Sequence, residues 1–152
     1  MKRGFTILLA EDDNNDATLF QHAVEETAEE SRIRIRVCHV RDGAEAIAYL
    51  AGQGDFADRR KYPFPDLIVL DLKMPRESGL DVLRWLKTHE EYWQMPKILL
   101  SGSAEERDVR EAYRLGANTY FQKPPTLTEY RELVHHLVHY WAHMQRPVIR
   151  HV

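Results

Sequence analysis

The sequence predicts an α/β domain: a doubly wound five-stranded parallel sheet with helices on both faces. Two observations carry this. Five short apolar runs, residues 5–10, 33–40, 67–72, 97–101 and 119–122, alternate with five segments of helical periodicity. Strands and helices in alternation close into a parallel sheet through right-handed crossovers. The central run, Leu67-Ile68-Val69-Leu70, is purely aliphatic and lies between Pro65 and Pro75. It has no polar alternation, which is the pattern of a strand buried on both faces. At 152 residues the chain has the length of one domain with a full core.

The first run, 5–10, leads directly into Glu11-Asp12-Asp13. Residues 17–27 then place Leu19, Phe20, Ala23, Val24 and Thr27 on one side of a helix. The second run holds Cys38 among valines, a small core position. A lone cysteine excludes an internal disulfide and fits a reducing cytoplasm. Residues 44–51 form a short helix anchored by Ile47 and Leu50. The connection 52–65 is long for a compact domain. Its Phe56, Tyr62 and Phe64 predict an insertion folded back on the surface; a partner-contact loop is the alternative. The third run delivers Asp71 to its end, and residues 80–87 follow as a helix with Leu80, Leu83 and Leu86 inward. The fourth run ends in Ser101-Gly102-Ser103. Residues 105–115 are helical, with Val109, Ala112, Tyr113 and Leu115 on the packed side and Gly116 as the stop. The fifth run ends in Gln122-Lys123-Pro124. The last helix spans 128–144 with Tyr130, Leu133, Val134, Leu137, Val138 and Trp141 inward. Residues 1–144 make one domain, and 145–152 a tail too short for another.

Composition narrows the function. A formal net charge of −3 argues against electrostatic binding to nucleic acid. No apolar stretch approaches the roughly 20 residues of a membrane span. The apolar run after Met1-Lys2-Arg3-Gly4 meets Glu11 too soon for a signal peptide. His139 and His143 have the i, i+4 spacing of a metal pair, but no Cys or carboxylate accompanies them, so a solvated helix face is the reading.

In a parallel sheet the four informative strand ends open on one edge, where ligands of such sheets sit. That edge collects Glu11, Asp12, Asp13, Asp71, Ser101 and Lys123. Two carboxylates about 4 Å apart repel by about 1 kcal/mol in water and about 4 at an effective dielectric of 20. A hard divalent cation such as Mg²⁺ removes that cost. Ser101 can donate to an anionic oxygen, and Lys123 is a compact charge suited to phosphate. A carboxylate held among such groups can attack a phosphoryl group. Taken singly, Asp12 and Asp13 are equally capping residues, and Tyr120 a half-buried strand aromatic.

Here the chain resembles the receiver domains of two-component response regulators. The resemblance rests on Leu9-Ala10-Glu11-Asp12-Asp13, on Leu67 to Pro75 followed by Gly79, on Ile98-Leu99-Leu100-Ser101-Gly102, and on Gly116 to Pro124. It implies the flavodoxin-like strand order 2-1-3-4-5. It implies Asp71 as phosphoacceptor, Asp12 as direct Mg²⁺ ligand and Glu11 acting through water, with Asp13 a lesser candidate. Lys73 would give its backbone carbonyl to the metal. Ser101 and Tyr120 match the switch pair, Lys123 the phosphate-binding lysine, and Gly102 a position leaving room for the phosphoryl group. The Lys123–Pro124 bond is expected to be cis. The output face would be residues 105–115, 119–122 and 128–141.

A narrower resemblance is to the bacterial single-domain receivers paired with phytochrome histidine kinases. It rests on the long loop, on Val40-Arg41-Asp42-Gly43-Ala44-Glu45-Ala46 and on Tyr140-Trp141, while Ser101-Gly102-Ser103 departs from that subgroup's usual threonine. It implies a cytoplasmic phosphoacceptor with a sensor histidine kinase as partner and no effector domain. Tyr140, Trp141, Met144 and Val148 form a homodimer patch or fold back on the core. Two other functions compete: a pseudo-receiver that binds without phosphorylation, and an aspartate-nucleophile phosphatase. The second wants an acid two residues after the nucleophile, where this chain has Lys73.

Overall fold

The computed structural model describes residues 4–146. Its strands are β1 (Phe5–Ala10), β2 (Ile35–Val40), β3 (Leu67–Leu70), β4 (Lys97–Ser101) and β5 (Thr119–Gln122). Its helices are α1 (Asn14–Ser31), α2 (Gly43–Ala51), α3 (Gly79–Lys87), α4 (Glu106–Arg114) and α5 (Leu127–Ala142). All strand pairs are parallel, in the order β2-β1-β3-β4-β5. Chain order reverses between β1 and β3, which makes their carboxyl ends the switch point where such sheets bind ligands.

The period-two alternation of the strands divides the core. Leu8, Ala10, Ile68, Leu70 and Leu99 point to one face and pack under α2, α3 and α4 through Ala46, Leu50, Val82, Leu83, Leu86 and Ala112. Phe5, Ile7, Leu9, Leu67, Val69, Ile98 and Leu100 point to the other and pack under α1 and α5 through Phe20, Val24, Tyr130, Val134 and Val138. A one-residue slip would exchange these faces, so burial on both sides fixes the register. That register sets Ala10 beside Leu70, and Leu70 beside Leu99.

Local chemistry explains the helix ends that periodicity misplaced. α1 begins at Asn14 rather than 17 because the Asp13 carboxylate accepts the Asn15 and Asp16 N–H groups. It runs on to Ser31 and stops at Arg32 in the left-handed region, φ 54°. α3 begins with a reciprocal capping box between Ser78 and Asp81. α4 ends at Arg114, and Gly116 beyond it has φ 102°, with the Trp93 ring where a Cβ would stand. Tyr113, expected on the packed side of α4, is 47 % exposed; Ala112 and Leu115 take the buried positions instead. Cys38 is half-buried rather than enclosed, because β2 is an edge strand covered less fully than the centre.

The connection 52–65 is folded back on the body, as its aromatic residues predict. Tyr49, Phe56 and Tyr62 pack ring against ring at 5.1–6.0 Å, and the Tyr49 hydroxyl donates to Pro63 O (2.7 Å). Arg59 donates to Tyr49 O (2.8 Å) and Leu50 O (2.7 Å) in the last turn of α2; Tyr49 O also accepts the Gly52 N–H (3.1 Å). At the end of α5, Trp141 and Met144 pack onto the core beneath α1, while Tyr140 stays 71 % exposed. Val148 lies outside the described residues. No helix among the described residues is long and apolar enough to cross a membrane.

Candidate functional site

Register builds the site. Because Ala10 and Leu70 lie side by side, Glu11 and Asp71 leave the sheet as neighbours, and the Asp71 N–H donates to Ala10 O (3.0 Å). On the other flank β4 pairs with β5, and the Lys123 N–H donates to Ser101 O (2.7 Å). The Lys123 side chain then reaches across the edge. Its Nζ donates to Glu11 Oε1 (2.6 Å), Asp16 Oδ2 (2.8 Å) and Asp71 Oδ2 (3.0 Å). The other Asp71 oxygen, Oδ1, accepts the Lys73 N–H (3.3 Å). Both carboxylate oxygens of Asp71 are thus held, one by each side of the cleft.

Burial governs the charges. Glu11 is 3 % exposed, and burial pushes its carboxyl up to about 8; the bond from Lys123 opposes this and the nearby Asp71 adds to it. Burial works against the Lys123 ammonium too, but the bonds to Asp16 and Glu11 and the charge of Asp71 outweigh it and push the pKa up. Tyr130, beneath the site, is also pushed up, mainly by burial. Lys123 is therefore a fixed positive charge among acids.

The donor set fits a hard cation. Ligand oxygens of Glu11, Asp12 and Asp71 all lie within 4.8 Å of one another. Glu11 and Asp71 are buried and Asp12 is exposed, so the group opens toward solvent. Oxygen-only donors of this kind suit Mg²⁺, which keeps several waters. The cluster faces a cleft of about 540 Å³ lined also by Lys73, Ser101, Gly102 and Lys123. The Lys73 side chain is exposed.

Ser101 closes the floor. It is 1 % exposed, and its Oγ accepts the Ser103 N–H (3.3 Å). Tyr120, opposite Leu99 in the sheet, donates its hydroxyl to Ser103 O (2.6 Å). Ser101 and Tyr120 thus hold the same β4–α4 loop at two points. A Cβ on Gly102 would meet nothing within 4 Å, so this side of the cleft is open.

The structure brings Glu11, Asp12, Asp71, Lys73, Ser101 and Lys123 together and sets Tyr120 behind them. It corrects two expectations. Asp13 caps α1, its Oδ1 accepting the Asn15 (2.9 Å) and Asp16 (3.0 Å) amides, and so does not join the acid cluster. The Lys123–Pro124 bond is trans, since no peptide bond among the described residues is cis; trans is the lower-energy form even before proline. Asp16 is the residue that sequence reasoning missed. Recognising Asp13 as the N-cap would have found it, because the third residue of the first turn then faces the strand ends. The α5 histidines stay apart from the site. His143 is paired with His139 O (2.7 Å) and His139 with Ser31 (3.3 Å).

Comparison with known proteins agrees with this geometry. Residues 7–135 match the family described as the response regulator receiver domain. The chain is 33 % identical over 135 residues to the response regulator Rcp1 of Synechocystis, covering 89 % of this chain and 87 % of that protein. It aligns with the crystal structure of the phosphorylated cyanobacterial phytochrome response regulator RcpA at TM-score 0.88 and 33 % identity, covering 96 % of this chain and all of the other. It aligns with the Mn²⁺-bound form of Rcp1 at TM-score 0.83 and 32 % identity, covering 95 % and 99 %. The parallel order β2-β1-β3-β4-β5, the acid cluster at its switch point and the family match over residues 7–135 together place this chain among the response regulator receiver domains of two-component signalling.

Proposed function

We propose that this receiver accepts a phosphoryl group from a histidine kinase onto Asp71 and passes the signal on by protein–protein contact, with residues 1–144 as the receiver unit and 145–152 as a tail to it. The observation that carries this is the pair of restraints on the Asp71 carboxylate, Lys123 Nζ on Oδ2 and the Lys73 amide on Oδ1, beside an open acid cluster. An Asp71 oxygen attacks the phosphorus of a phosphohistidine; the new O–P bond replaces the N–P bond. Lys123 and the Ser101 hydroxyl meet the charge spread over the equatorial oxygens. Glu11, Asp12, Asp71 and the Lys73 carbonyl would hold Mg²⁺, and the Mn²⁺-bound form of Rcp1 supports a divalent ion in such a site. When bound, the cation neutralises the clustered carboxylates and the incoming phosphoryl oxygens.

Phosphorylation adds a nearly dianionic group. Ser101 turns to it and gives up the Ser103 amide; Tyr120 follows, and the β4–α4 loop with α4 and β5 takes a second arrangement. Moving that equilibrium from 1:99 to 99:1 requires about 5.5 kcal/mol of preference for the active state. The kinase partner is of the phytochrome class, supported by the likeness to RcpA, and the site of action is cytoplasmic. Exposed Tyr140 at the end of α5 would contribute to a homodimer; light scattering should then show the dimer mass for the parent chain and the monomer mass for Tyr140→Asp. The test of acceptor chemistry is uptake of label from acetyl phosphate with Mg²⁺. The parent chain should take up label, and Asp71→Asn should take up none; undiminished uptake by the variant would refute the assignment.

A further inference from the structure

We propose that Asp42 and Arg76 form a latch that positions the loop after Asp71, and through it both the Asp71 carboxylate and the Lys73 backbone. The proposal rests on the acceptor reading above and adds two positioning residues to it.

Three observations meet at this loop. First, the Arg76 guanidinium grips one carboxylate oxygen twice: Nε to Asp42 Oδ2 at 2.9 Å and a terminal nitrogen to the same oxygen at 2.7 Å. Asp42 is 7 % exposed, and its other oxygen caps α2 by accepting the Glu45 N–H (2.8 Å). The anchor is therefore a buried group fixed to a helix start, while the arginine comes from the loop. Second, Arg76 has φ 65°, a backbone conformation that favours glycine. It sits at the centre of a three-residue turn closed by the Glu77 N–H donating to Pro75 O (2.8 Å), a strained turn of the positive-φ kind. An arginine held in such a turn is being held by something, and strain of this sort gathers at sites where position matters. Third, the backbone next to the grip is docked. The Gly43 N–H donates to Glu77 O (2.9 Å), and a Cβ on Gly43 would stand 2.2 Å from that oxygen. α2 and the loop thus approach closely only because residue 43 is glycine.

The other end of the loop is the site. The Gly79 N–H donates to Leu72 O (2.9 Å), closing residues 72–79 into a compact loop. Within it the Lys73 N–H bonds Asp71 Oδ1. A loop closed at its base and tied down at Arg76 and Glu77 has little freedom left at Lys73. Freeing it would let the Asp71 carboxylate turn away from Oδ1 restraint and would loosen the backbone carbonyl assigned to the metal. Arg76 itself is 62 % exposed in its side chain and touches no acid of the cluster, so it acts on the site only through the loop.

The test uses the full chain with Arg76→Ala, Arg76→Gly and Arg76→Lys, read by Mg²⁺ calorimetry, by urea unfolding and by amide exchange at Gly43 and Lys73. Arg76→Ala should weaken Mg²⁺ binding roughly three- to tenfold and speed exchange at both amides about tenfold. Arg76→Lys, which keeps one charged donor, should recover most of both. Arg76→Gly relieves the turn and should unfold at higher urea than Arg76→Ala, yet bind Mg²⁺ no better. The glycine variant separates position from stability. Wild-type Mg²⁺ affinity in Arg76→Ala and Arg76→Gly would overturn the latch, and so would recovery of affinity in Arg76→Gly in step with its stability. If the parent chain bound no Mg²⁺, the acceptor reading would fail instead. The latch would then stand or fall on the exchange at Gly43, with unchanged exchange in Arg76→Ala overturning it.

Discussion

Two lysines, one half-buried and one buried, stand at opposite ends of the same sheet and behave in opposite ways. Lys123, at the carboxyl edge, lies within 3.0 Å of oxygens from Glu11, Asp16 and Asp71, and those acids hold its charge. Lys97, the first residue of β4, opens the other edge at 2 % exposure. Its Nζ donates to Trp93 O (2.6 Å) and Met95 O (2.8 Å) and stands 4.8 Å from the Trp93 ring centre, and burial lowers its pKa to about 8. The same residue type is therefore a fixed cation at one edge and a titrating group at the other. What differs is the partner: carboxylates compensate desolvation, whereas carbonyls and an aromatic face do so only in part. The carboxyl edge is arranged to keep charge available, and the amino edge to close the structure.

The contrast can be broken at four places, from the largest effect down. Lys123→Met should cut phosphoryl uptake by about 10² to 10³-fold while the chain remains folded, because one of the groups meeting the developing charge is lost. Loss of less than tenfold would put the catalytic charge elsewhere. Lys97 predicts a pH effect. Its folded pKa lies below the unfolded value of 10.5, so the unfolded chain binds more protons between the two. Its contribution is present above the unfolded value and is lost as pH falls through about 8. The wild-type chain should therefore gain up to about 3 kcal/mol relative to Lys97→Met between pH 7 and 10.5, in the difference of their urea curves. A flat difference would contradict the assignment.

Arg59→Ala should cost about 1–2 kcal/mol, since it removes the side-chain donor from Leu50 O and one of two donors from Tyr49 O, and should leave phosphoryl uptake unchanged. A fall in uptake would mean that the loop 52–65 reaches the site. Asp16→Asn is the smallest change. Asp16 holds the Lys123 ammonium and would compete for it with a phosphoryl group, so uptake should rise roughly two- to fivefold. Slower uptake would make Asp16 part of the acceptor machinery rather than a competitor.

Much of this was legible in the sequence, for physical reasons. β1 and β4 have the predicted bounds because buried strands carry dense apolar runs, and the partly buried edge strand β5 keeps its predicted bounds as well. Asp71 and Glu11 could be placed on one edge because a parallel sheet brings all carboxyl ends together. What the sequence hid were relations across space. Asp16 looks like an ordinary first-turn acid until Asp13 is known to be the cap. Lys97 reads as a strand-starting surface residue, and nothing local shows that Trp93 folds over it. Arg76 follows a proline in what reads as a simple turn; its positive φ and its grip on Asp42, thirty-four residues earlier, appear only when α2 and the loop are side by side. The trans Lys123–Pro124 bond shows the converse, an expectation carried by resemblance that the structure does not bear out.

On the proposed chemistry Asp71, and none of its acidic neighbours, becomes the acyl phosphate. Borohydride reduction after acetyl phosphate and Mg²⁺ treatment converts such an acyl phosphate to a homoserine, which peptide mass mapping can place. Homoserine should appear at residue 71 alone, in the parent chain and not in Asp71→Asn. Homoserine at residue 12, 13 or 16, 5-hydroxynorvaline (the product of a reduced glutamyl phosphate) at residue 11, or an unreduced residue 71 in chain that carries label, would rule out Asp71 as the acceptor.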